Sequence, residues 1–360
     1  MGRQRSPIRA VLFDWGGTLM REFPEFAGPM AGWPRVEAVP GVEEALRALH
    51  GRYALAVATN AALSDERLVR AALARVGLAV YVSMVVTARE LGMNKPDPAF
   101  FHAVLERIGC GAAEAVMVGD GYGTDIVGAK ATGLRAVWFN PAGVPCPLVH
   151  PVHDAEIRTL PDLPAVLSEP FLPDIPEALG ILRDHAVPEN IVRHSGVVAA
   201  VAHWIALRLR ERGGEVDPLL VHRGGLLHDL DKLSSAKPTD HGVQAGRILR
   251  ALGWPRLAAI AERHVLGAHP ETWEEKVVHY ADKIVEEDQV VGLVPRLTAL
   301  SDRYPSERER ISAALSPLCS LEEEIAAALR TSPDELRAEL GRLDLALPPL
   351  VAPRDRAYDR

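Results

Sequence analysis

Short apolar runs alternate with amphipathic stretches through the first half of the chain. The runs predict five buried strands, and the stretches between them predict four helices. The predicted strands are Ile8–Phe13, Tyr53–Ala58, Met84–Val86, Ala115–Val118 and Arg135–Phe139, and the predicted helices are Val42–His50, Asp65–Val76, Pro98–Ile108 and Thr124–Thr132. This alternation predicts a parallel sheet with helices on both faces, and it places the chemistry at the carboxyl ends of the strands.

Beyond a proline-rich stretch from Leu160 to Pro176, strand patterns stop and helical periods dominate. The predicted helices are one opening at Pro188, then Val216–Leu227, Gly242–Leu252, Leu257–His264 and Trp273–Val291. Ser320 and Ser332 each precede a Glu by three residues, which predicts two further helix starts. The fold class is therefore α/β plus all-α, divided as 1–168, a linker at 169–178, a helical domain at 179–305, and helices with a tail at 306–360.

Composition narrows the class of protein without naming a function. The 360 residues are 48% hydrophobic and 24% charged, as in soluble globular proteins, and a net charge of −8 argues against a nucleic-acid partner. Three cysteines indicate no disulfide framework. The N-terminus is basic, but its apolar run ends at Asp14, and no apolar run approaches ~20 residues. We expect a cytoplasmic protein without a membrane partner, and the oligomeric state stays open.

Polar residues follow the predicted strands of the first half: Asp14, Thr59 and Asp120 all stand at strand ends. With their neighbours they resemble four motifs of haloacid dehalogenase-like (HAD) phosphohydrolases. The resemblance implies Asp14 as nucleophile, Thr59 with Asn60 as phosphate-binding residues, Lys95 as phosphate clamp, and Asp120 and Asp125 as Mg²⁺ ligands. The chemistry is consistent, because a carboxylate that attacks phosphorus beside other carboxylates needs a cation to neutralise the site.

Two features depart from the HAD pattern. Gly16 stands where the family usually has an Asp that acts as general acid and base, although its backbone carbonyl can still be a Mg²⁺ ligand. The segment Met20 to Val39 is too short for a helical cap. Either a large substrate enters an open site or another domain covers it. The first half is then an active phosphatase, a weak one, or a degenerate binding domain.

In the second half, His228 and Asp229 follow the apolar run Gly-Leu-Leu. Neighbouring helical residues point about 100° apart, so the two can reach one metal ion only near a helix end. By themselves they fit a structural polar pair equally well. His194 lies on an apolar helix face, as a core histidine would, and Asp282 also points where apolar residues point.

Together these residues resemble the metal-dependent phosphohydrolases of the HD superfamily. The resemblance implies His194, His228, Asp229 and Asp282 as ligands of Mn, Fe, Co, Ni or Zn, with Asp229 also taking part in catalysis. His241 and His264 are either ligands of a second metal ion or line a mononuclear site. Lysine is rare in this chain, so Lys232 favours a phosphate contact over a simply solvated side chain.

The sequence thus predicts a metal-dependent phosphohydrolase that acts on small phosphate esters or nucleotides. The HD half is the main catalytic candidate, and the HAD half, with Mg²⁺, is a second one. The alternative is a nucleotide-sensing binding protein with a degenerate HAD domain. Gly16 favours this alternative for the first half, whereas the full set of ligand-type residues opposes it for the second.

Overall fold

Six parallel strands organise the first part of the chain in the computed structural model, which describes residues 7–233 and 241–347. In the order β3-β2-β1-β4-β5-β6, the sheet contains β1 Ala10–Phe13, β2 Ala54–Thr59, β3 Met84–Thr87, β4 Ala115–Gly119, β5 Arg135–Phe139 and β6 Ala155–Ile157. Most of the strand residues are buried, as expected where helices cover a parallel sheet. The predicted α/β class is confirmed. The sequence does not predict β6, because Ala-Glu-Ile is too short and too polar to form an apolar run.

Helices fill the connections of this first unit, which comprises residues up to Val144 and Val152–Phe171. They are α1 Val42–Leu49, α2 Glu66–Arg75, α3 Ala88–Leu91, α4 Pro98–Ile108, α5 Gly128–Ala131 and α6 Leu163–Ser168. Local signals set several boundaries. The Asp65 carboxylate accepts the N–H of Leu68 at the start of α2, and Asp97 does the same for Ala99 in α4.

The predicted helix Thr124–Thr132 begins instead as a π-helical turn, Tyr122–Val127, before α5. The reason is local: the Asp125 carboxylate accepts the N–H of Gly121 at 2.9 Å and so widens the turn. A Cβ at Gly119 would lie 2.3 Å from Asp125 Oδ2, so only glycine leaves room for this arrangement. Such turns are frequent at functional sites.

The second unit, Pro145–Pro151 and Leu172 onward, is built mainly of helices. They are α7 Ile175–Asp184, α8 Glu189–Glu211, α9 Pro218–Leu227, α10 Val243–Ala251, α11 Pro255–Arg263, α12 Trp273–Ile284, α13 Leu293–Arg303, α14 Arg308–Leu329 and α15 Pro333–Leu340. The predicted helical class is confirmed. Within the described ranges, no helix combines the length and apolar character needed to cross a membrane.

Two local predictions for this unit, the length of one helix and the helix start at Ser320, are wrong. The helix predicted over Trp273–Val291 stops at Ile284 and gives way to a short hairpin, β7 Val285–Glu286 with β8 Gln289–Val290, because Glu287 adopts a φ of 54°. α14 continues through Ser320, whereas Ser332 does cap α15 with Glu335. The predicted linker 169–178 is partly helical, since Asp174 caps α7 and Pro176 fits its first turn.

Two helices of the second unit meet at a glycine. A Cβ built on Gly225 of α9 would lie 2.7 Å from Cα and 3.0 Å from N of Ala199 in α8. Backbone atoms cannot yield as flexible side chains do, so Gly225 permits an approach that any larger residue would prevent. Because His228 follows three residues later, this approach also determines where the end of α9 lies.

Three histidines and an arginine are buried together elsewhere in the second unit. His150 Nδ1 and His222 Nε2 lie 2.9 Å apart, Arg223 donates to the carbonyls of Pro151 and Pro173, and His203 Nδ1 donates to the Val149 carbonyl at 2.9 Å. Burial, together with the nearby Arg223 charge, lowers the pKa of His203 to about 3 despite that hydrogen bond. His203 is therefore neutral in the folded protein.

We expect Gly225→Ala to destabilise the second unit by about 1–3 kcal/mol through overpacking against α8. Gly180→Ala is the matched control, because α7 leaves its Cβ nothing nearer than 4.0 Å and alanine favours helices. Urea denaturation followed by circular dichroism measures both. Equal stability of the two variants would contradict the close approach.

We also expect the neutral His203 to make folding sensitive to acid. Its pKa is lower folded than unfolded, where it is near 6.5, so the unfolded chain takes up the proton first as the pH falls. Between pH 7.5 and pH 5 this lowers the free energy of unfolding by roughly 2 kcal/mol. His203→Asn removes the effect, so its stability should change less than the wild type's over this range. If the free energy of unfolding changes between pH 7.5 and pH 5 by the same amount in His203→Asn as in the wild type, burial of the neutral ring is contradicted.

Candidate metal centres

Four ligand-type side chains converge in the second unit from the N-terminal part of α8, the end of α9 and the end of α12. His194 Nε2 lies 3.1 Å from Asp282 Oδ1, and His228 Nε2 lies 3.6 Å from both Asp282 Oδ1 and Asp229 Oδ2. α9 ends at Leu227, so His228 and Asp229 stand just past the helix end, where adjacent side chains can face one point. All four side chains are buried.

His241 and His264 lie on the other side of Asp229. His241 Nε2 and His264 Nε2 are 3.0 Å and 3.4 Å from Asp229 Oδ1, and 3.1 Å from each other. Asp229 thus faces His228 with Oδ2 and these two histidines with Oδ1. A carboxylate placed in this way can bridge two cations.

The four histidines of this cluster are oriented alike by their Nδ1 atoms. Each Nδ1 lies within hydrogen-bond distance of an oxygen that can only accept, so each Nδ1 carries the proton and donates it. The acceptors are Glu287 O for His194 at 2.9 Å, Gly225 O for His228 at 2.7 Å, Asp231 Oδ1 for His241 at 2.8 Å and Ala261 O for His264 at 2.6 Å. In a neutral ring, Nε2 therefore presents a lone pair to the centre, as in metal-binding histidines. Burial lowers the pKa of His241, but hydrogen bonds to Asp229 and Asp231 outweigh it and raise the pKa to about 9, so a metal ion at this ring would replace the proton on Nε2.

Two atoms at this centre lack hydrogen-bond partners among the described residues. They are His228 Nε2 and Asp229 Oδ2, both fully buried, although Lys232 Nζ lies 3.1 Å from Asp229 Oδ2 without hydrogen-bond geometry. A buried polar atom without a partner costs about 1–3 kcal/mol, and more when the group is charged. Lone pairs that face each other in a buried site repel, and a divalent cation between them would relieve that repulsion, so the donor set fits divalent metal ions.

The charges around the cluster keep its carboxylates ionised. Burial alone would raise the pKa of Asp229, but the charge of Lys232 and the neighbouring histidines hold it well below its usual range. The pKa of Asp282 is likewise low, since Lys283 and His194 outweigh the effect of burial. The site therefore presents two anionic groups and several imidazole nitrogens, the ligands that transition metals prefer.

Three further residues support this cluster, and sequence reasoning missed two of them, Asp231 and Arg296. Asp231 accepts the proton of His241 and the N–H groups of Gly242 and Ala245, and so joins His241 to the start of α10. Lys283 donates to the His264 carbonyl at 2.9 Å. Arg296 is paired with Glu286 and lies 4.0 Å from Asp282 Oδ1. The rarity of lysine in the sequence draws attention to Lys283, whereas no signal in the sequence distinguishes Arg296 from the other arginines.

A cavity of about 490 Å³ opens beside the cluster. His194, Asp229 and Lys232 line it together with Arg296 and Arg303 of α13, Tyr304 directly after α13, and the acidic residues Glu286, Glu287 and Asp288 before it. Arg296 and Arg303 are both paired with Glu286, so cationic and acidic side chains share the lining. The size of the cavity lies within the range of small-molecule sites.

In the first unit, a second cluster lies at the carboxyl ends of β1 and β4. Lys95 Nζ is 2.6 Å from Asp14 Oδ1 and 2.7 Å from Asp125 Oδ1. Asp120 accepts from the Thr18 hydroxyl at 2.9 Å, and Asp14, Asp120 and Asp125 offer oxygens within 4.8 Å of one another. Burial and the nearby Asp125 raise the pKa of Asp14 although Lys95 opposes them. A divalent cation among these carboxylates would relieve their repulsion, so they fit Mg²⁺.

Thr59 and Asn60 lie beside this cluster at the end of β2. Asn60 accepts the backbone N–H of Lys95 at 2.7 Å and donates to its carbonyl at 3.0 Å, so its side chain positions Lys95. Thr59 Oγ1 accepts the Ala61 N–H at 3.2 Å. A cavity of about 440 Å³ is lined by Asp14, Gly16, Thr59, Asn60, Lys95, Asp120 and Asp125. The residues predicted for the first half therefore meet at one opening.

Comparison with known proteins gives two family matches. The haloacid dehalogenase-like hydrolase family matches residues 24–139, a range that begins after Asp14, and the HD domain family matches residues 191–287. The second range includes His194, His228, Asp229 and Asp282.

Curated relatives match parts of the chain. An uncharacterized protein of Methanocaldococcus jannaschii is 40% identical over 126 residues, which are 30% of this chain and 73% of that protein. The ribulose-1,5-bisphosphate 5-phosphatase of Halopiger xanaduensis is 40% identical over 29% of this chain and 43% of its own length. The phosphoserine phosphatase of Thermus thermophilus is 44% identical over 24% of this chain and 34% of its own length. The chain spans less than half the length of these two phosphatases. This chain therefore joins a domain of the haloacid dehalogenase-like hydrolase family to a domain of the HD family.

Proposed function

We propose that the chain is a metal-dependent phosphohydrolase whose main catalytic centre is the HD cluster, with small phosphate esters or nucleotides as substrates. The observation that carries the proposal is the set of four imidazole Nε2 atoms that face Asp229 and Asp282 inside a buried site. A purely structural polar cluster would pair these atoms with donors. Here His228 Nε2 has no hydrogen-bond partner within the described residues.

His194, His228, Asp229 and Asp282 would hold one transition metal ion. Asp229, His241 and His264 would hold a second, which favours the dinuclear alternative because Asp229 Oδ1 lies within 3.4 Å of both histidines. When bound, such ions lower the pKa of water and polarise a phosphoryl group. The carbonyls that accept from the Nδ1 atoms fix the orientation of the rings before any ion arrives.

The cavity beside the HD cluster supports an anionic, nucleotide-sized substrate. Lys232 lines it with its side chain 34% exposed, so its ammonium can contact both Asp229 and a phosphoryl oxygen. Arg296 and Arg303 add two guanidinium groups, which match phosphate geometry. The ring of Tyr304, 48% exposed at the same opening, offers a surface for a nucleobase.

The first unit would be a second, Mg²⁺-dependent phosphatase centre. Asp14 would attack phosphorus, Lys95 and Thr59 would hold the phosphoryl oxygens, and Asp120 and Asp125 would hold the ion, with the Gly16 carbonyl beside them. Gly16 supports one alternative: a first unit that binds a nucleotide without turnover and a protein that acts as a sensor. The two candidates differ in whether Asp14 is needed for product formation.

We expect the purified protein to bind transition metal, and His228→Ala with Asp229→Ala to abolish that binding. Removing both residues leaves His194 and Asp282 without the rest of the ligand set. His269→Ala is the matched control, because His269 is exposed and outside the cluster. Elemental analysis and calorimetric titration with Mn²⁺, Co²⁺ or Zn²⁺ measure binding, and circular dichroism verifies the fold. Wild-type metal content in the double variant would disprove the ligand assignment.

We further expect two independent activities in a screen of nucleotides and phosphate esters. Hydrolysis supported by transition metals should fall by about 10²-fold or more in His228→Ala and be unaffected by Asp14→Asn. Hydrolysis supported by Mg²⁺ should show the reverse dependence. If nucleotides bind but neither metal supports turnover, the sensor alternative replaces the phosphohydrolase. Transition-metal activity that survives His228→Ala would contradict the assignment of the HD cluster as the main centre.

A further inference from the structure

The space beside Gly16 is filled by another side chain. A Cβ built on Gly16 would lie 2.2 Å from Glu22 Oε1, 2.9 Å from its Cδ and 3.3 Å from its Cγ. The first of these separations is close to the distance between Cβ and a carboxylate oxygen within a single aspartate. One oxygen of the Glu22 carboxylate therefore lies about as far from that Cβ position as an aspartate's own oxygens would, although it comes from a residue six positions later and its carboxyl carbon is 2.9 Å away.

Backbone pairing brings Glu22 to this place. The chain turns back after β1, because the N–H of Gly17 donates to the Met20 carbonyl at 2.9 Å and Gly16 pairs with Met20. The returning strand is then held from its other side, since the N–H of Arg21 donates to the Glu37 carbonyl at 2.9 Å. Glu22 follows directly, so its Cα is held over the turn that contains Gly16.

The residue after Glu22 is anchored by aromatic packing. Phe23 is only 7% exposed, and its ring centroid lies 5.8 Å from that of Phe26 and 6.4 Å from that of Trp33. The guanidinium of Arg35 lies 4.1 Å from the Phe23 ring centroid on top of this cluster. With Phe23 packed in this way, the short segment after Asp14 has a defined path although it contains no helical cap.

The carboxylate of Glu22 is available for chemistry. It has no hydrogen bond and no ion pair with any other residue of the described chain, whereas the nearby Arg21 and Arg35 are both paired with Glu37. Glu22 also lines the same 440 Å³ cavity as Asp14 and Lys95. Nothing in its surroundings gives this side chain a structural role.

We propose that Glu22 is the catalytic acid and base that position 16 lacks. This inference rests on the proposed phosphatase function of the first unit. As an Asp14 oxygen forms its bond to phosphorus, the bond from phosphorus to the leaving oxygen breaks, and the Glu22 carboxylic acid gives its proton to that oxygen. In the second step the Glu22 carboxylate takes a proton from the water that attacks the phosphorus. Inorganic phosphate leaves, and Asp14 and protonated Glu22 are regenerated.

The test compares leaving groups in the full-length protein with Mg²⁺. Glu22→Gln keeps the size of the side chain but has no acidic proton, so kcat for alkyl phosphates should fall by about 10²-fold, within the usual range for general acids. Aryl phosphates, whose leaving oxygens need no proton, should lose less than about 3-fold. Glu25→Gln is the matched control in the same segment. Its kcat values for alkyl and for aryl phosphates should both stay at the wild-type value.

A rescue variant separates chemistry from folding. Gly16→Asp in the Glu22→Gln background places a carboxylate at the original position, and the glutamine that would meet its Cβ is the far end of a flexible side chain. It should restore alkyl phosphate hydrolysis by about 10-fold or more while leaving aryl hydrolysis nearly unchanged. A structural role for Glu22 would change both substrates equally and would not be rescued.

The outcomes distinguish this inference from the function beneath it. Suppose that hydrolysis needs Asp14, but that Glu22→Gln leaves it unchanged or reduces it equally for alkyl and aryl phosphates. That result overturns only the role of Glu22. If Asp14→Asn removes no hydrolysis of any substrate, the first unit is not a phosphatase. The proposed role of Glu22 then falls with that function.

Discussion

Removal of carboxylates from water is the constraint on which both clusters depend. Asp229 and Asp282 are each less than 5% exposed, and an isolated ionised carboxylate in such surroundings is very costly. Ion pairs with Lys232 and Lys283, together with the imidazole rings, offset part of this desolvation energy in the second unit. In the first unit, Lys95 has the same effect between Asp14 and Asp125. The remaining lone pairs face one another. Cations among these groups would stabilise the site, so the donor set suits the metal ions proposed above.

The two units position their charged groups by different means. In the first, parallel strands end together, so residues after β1, β2 and β4 meet because the sheet requires it. In the second, no sheet supplies that edge, and the ligands come from helices that must approach closely. Gly225 against Ala199 provides one such approach, and carbonyls at helix ends and in the turn after α12 hold the ring nitrogens. The helical site therefore depends on tertiary packing more strongly than the sheet site does.

This difference explains what could be predicted from the sequence. Pro98–Ile108 was predicted to the residue, because Asp97-Pro98 starts the helix and Gly109 ends it by purely local means. The end of α12 was missed, since its apolar period continues into Val285 while the positive φ of Glu287 turns the chain and presents a carbonyl to His194. Ligand-type residues were found through family motifs. Asp231 and Arg296 were not, because their contacts exist only after distant helices have packed.

A missing motif residue is ambiguous in a sequence and much less so in a structure. Gly16 alone is consistent with loss of catalysis, because a motif records which residues are adjacent along the chain. Proton transfer depends instead on which atoms are adjacent in space, and the turn after β1 brings the Glu22 carboxylate to within 2.2 Å of where the Cβ of residue 16 would be. A side chain at position 16 would displace that carboxylate, since Glu22 Oε1 is the far end of a flexible side chain. The glycine that suggests loss of the general acid at position 16 also leaves room for the carboxylate of Glu22.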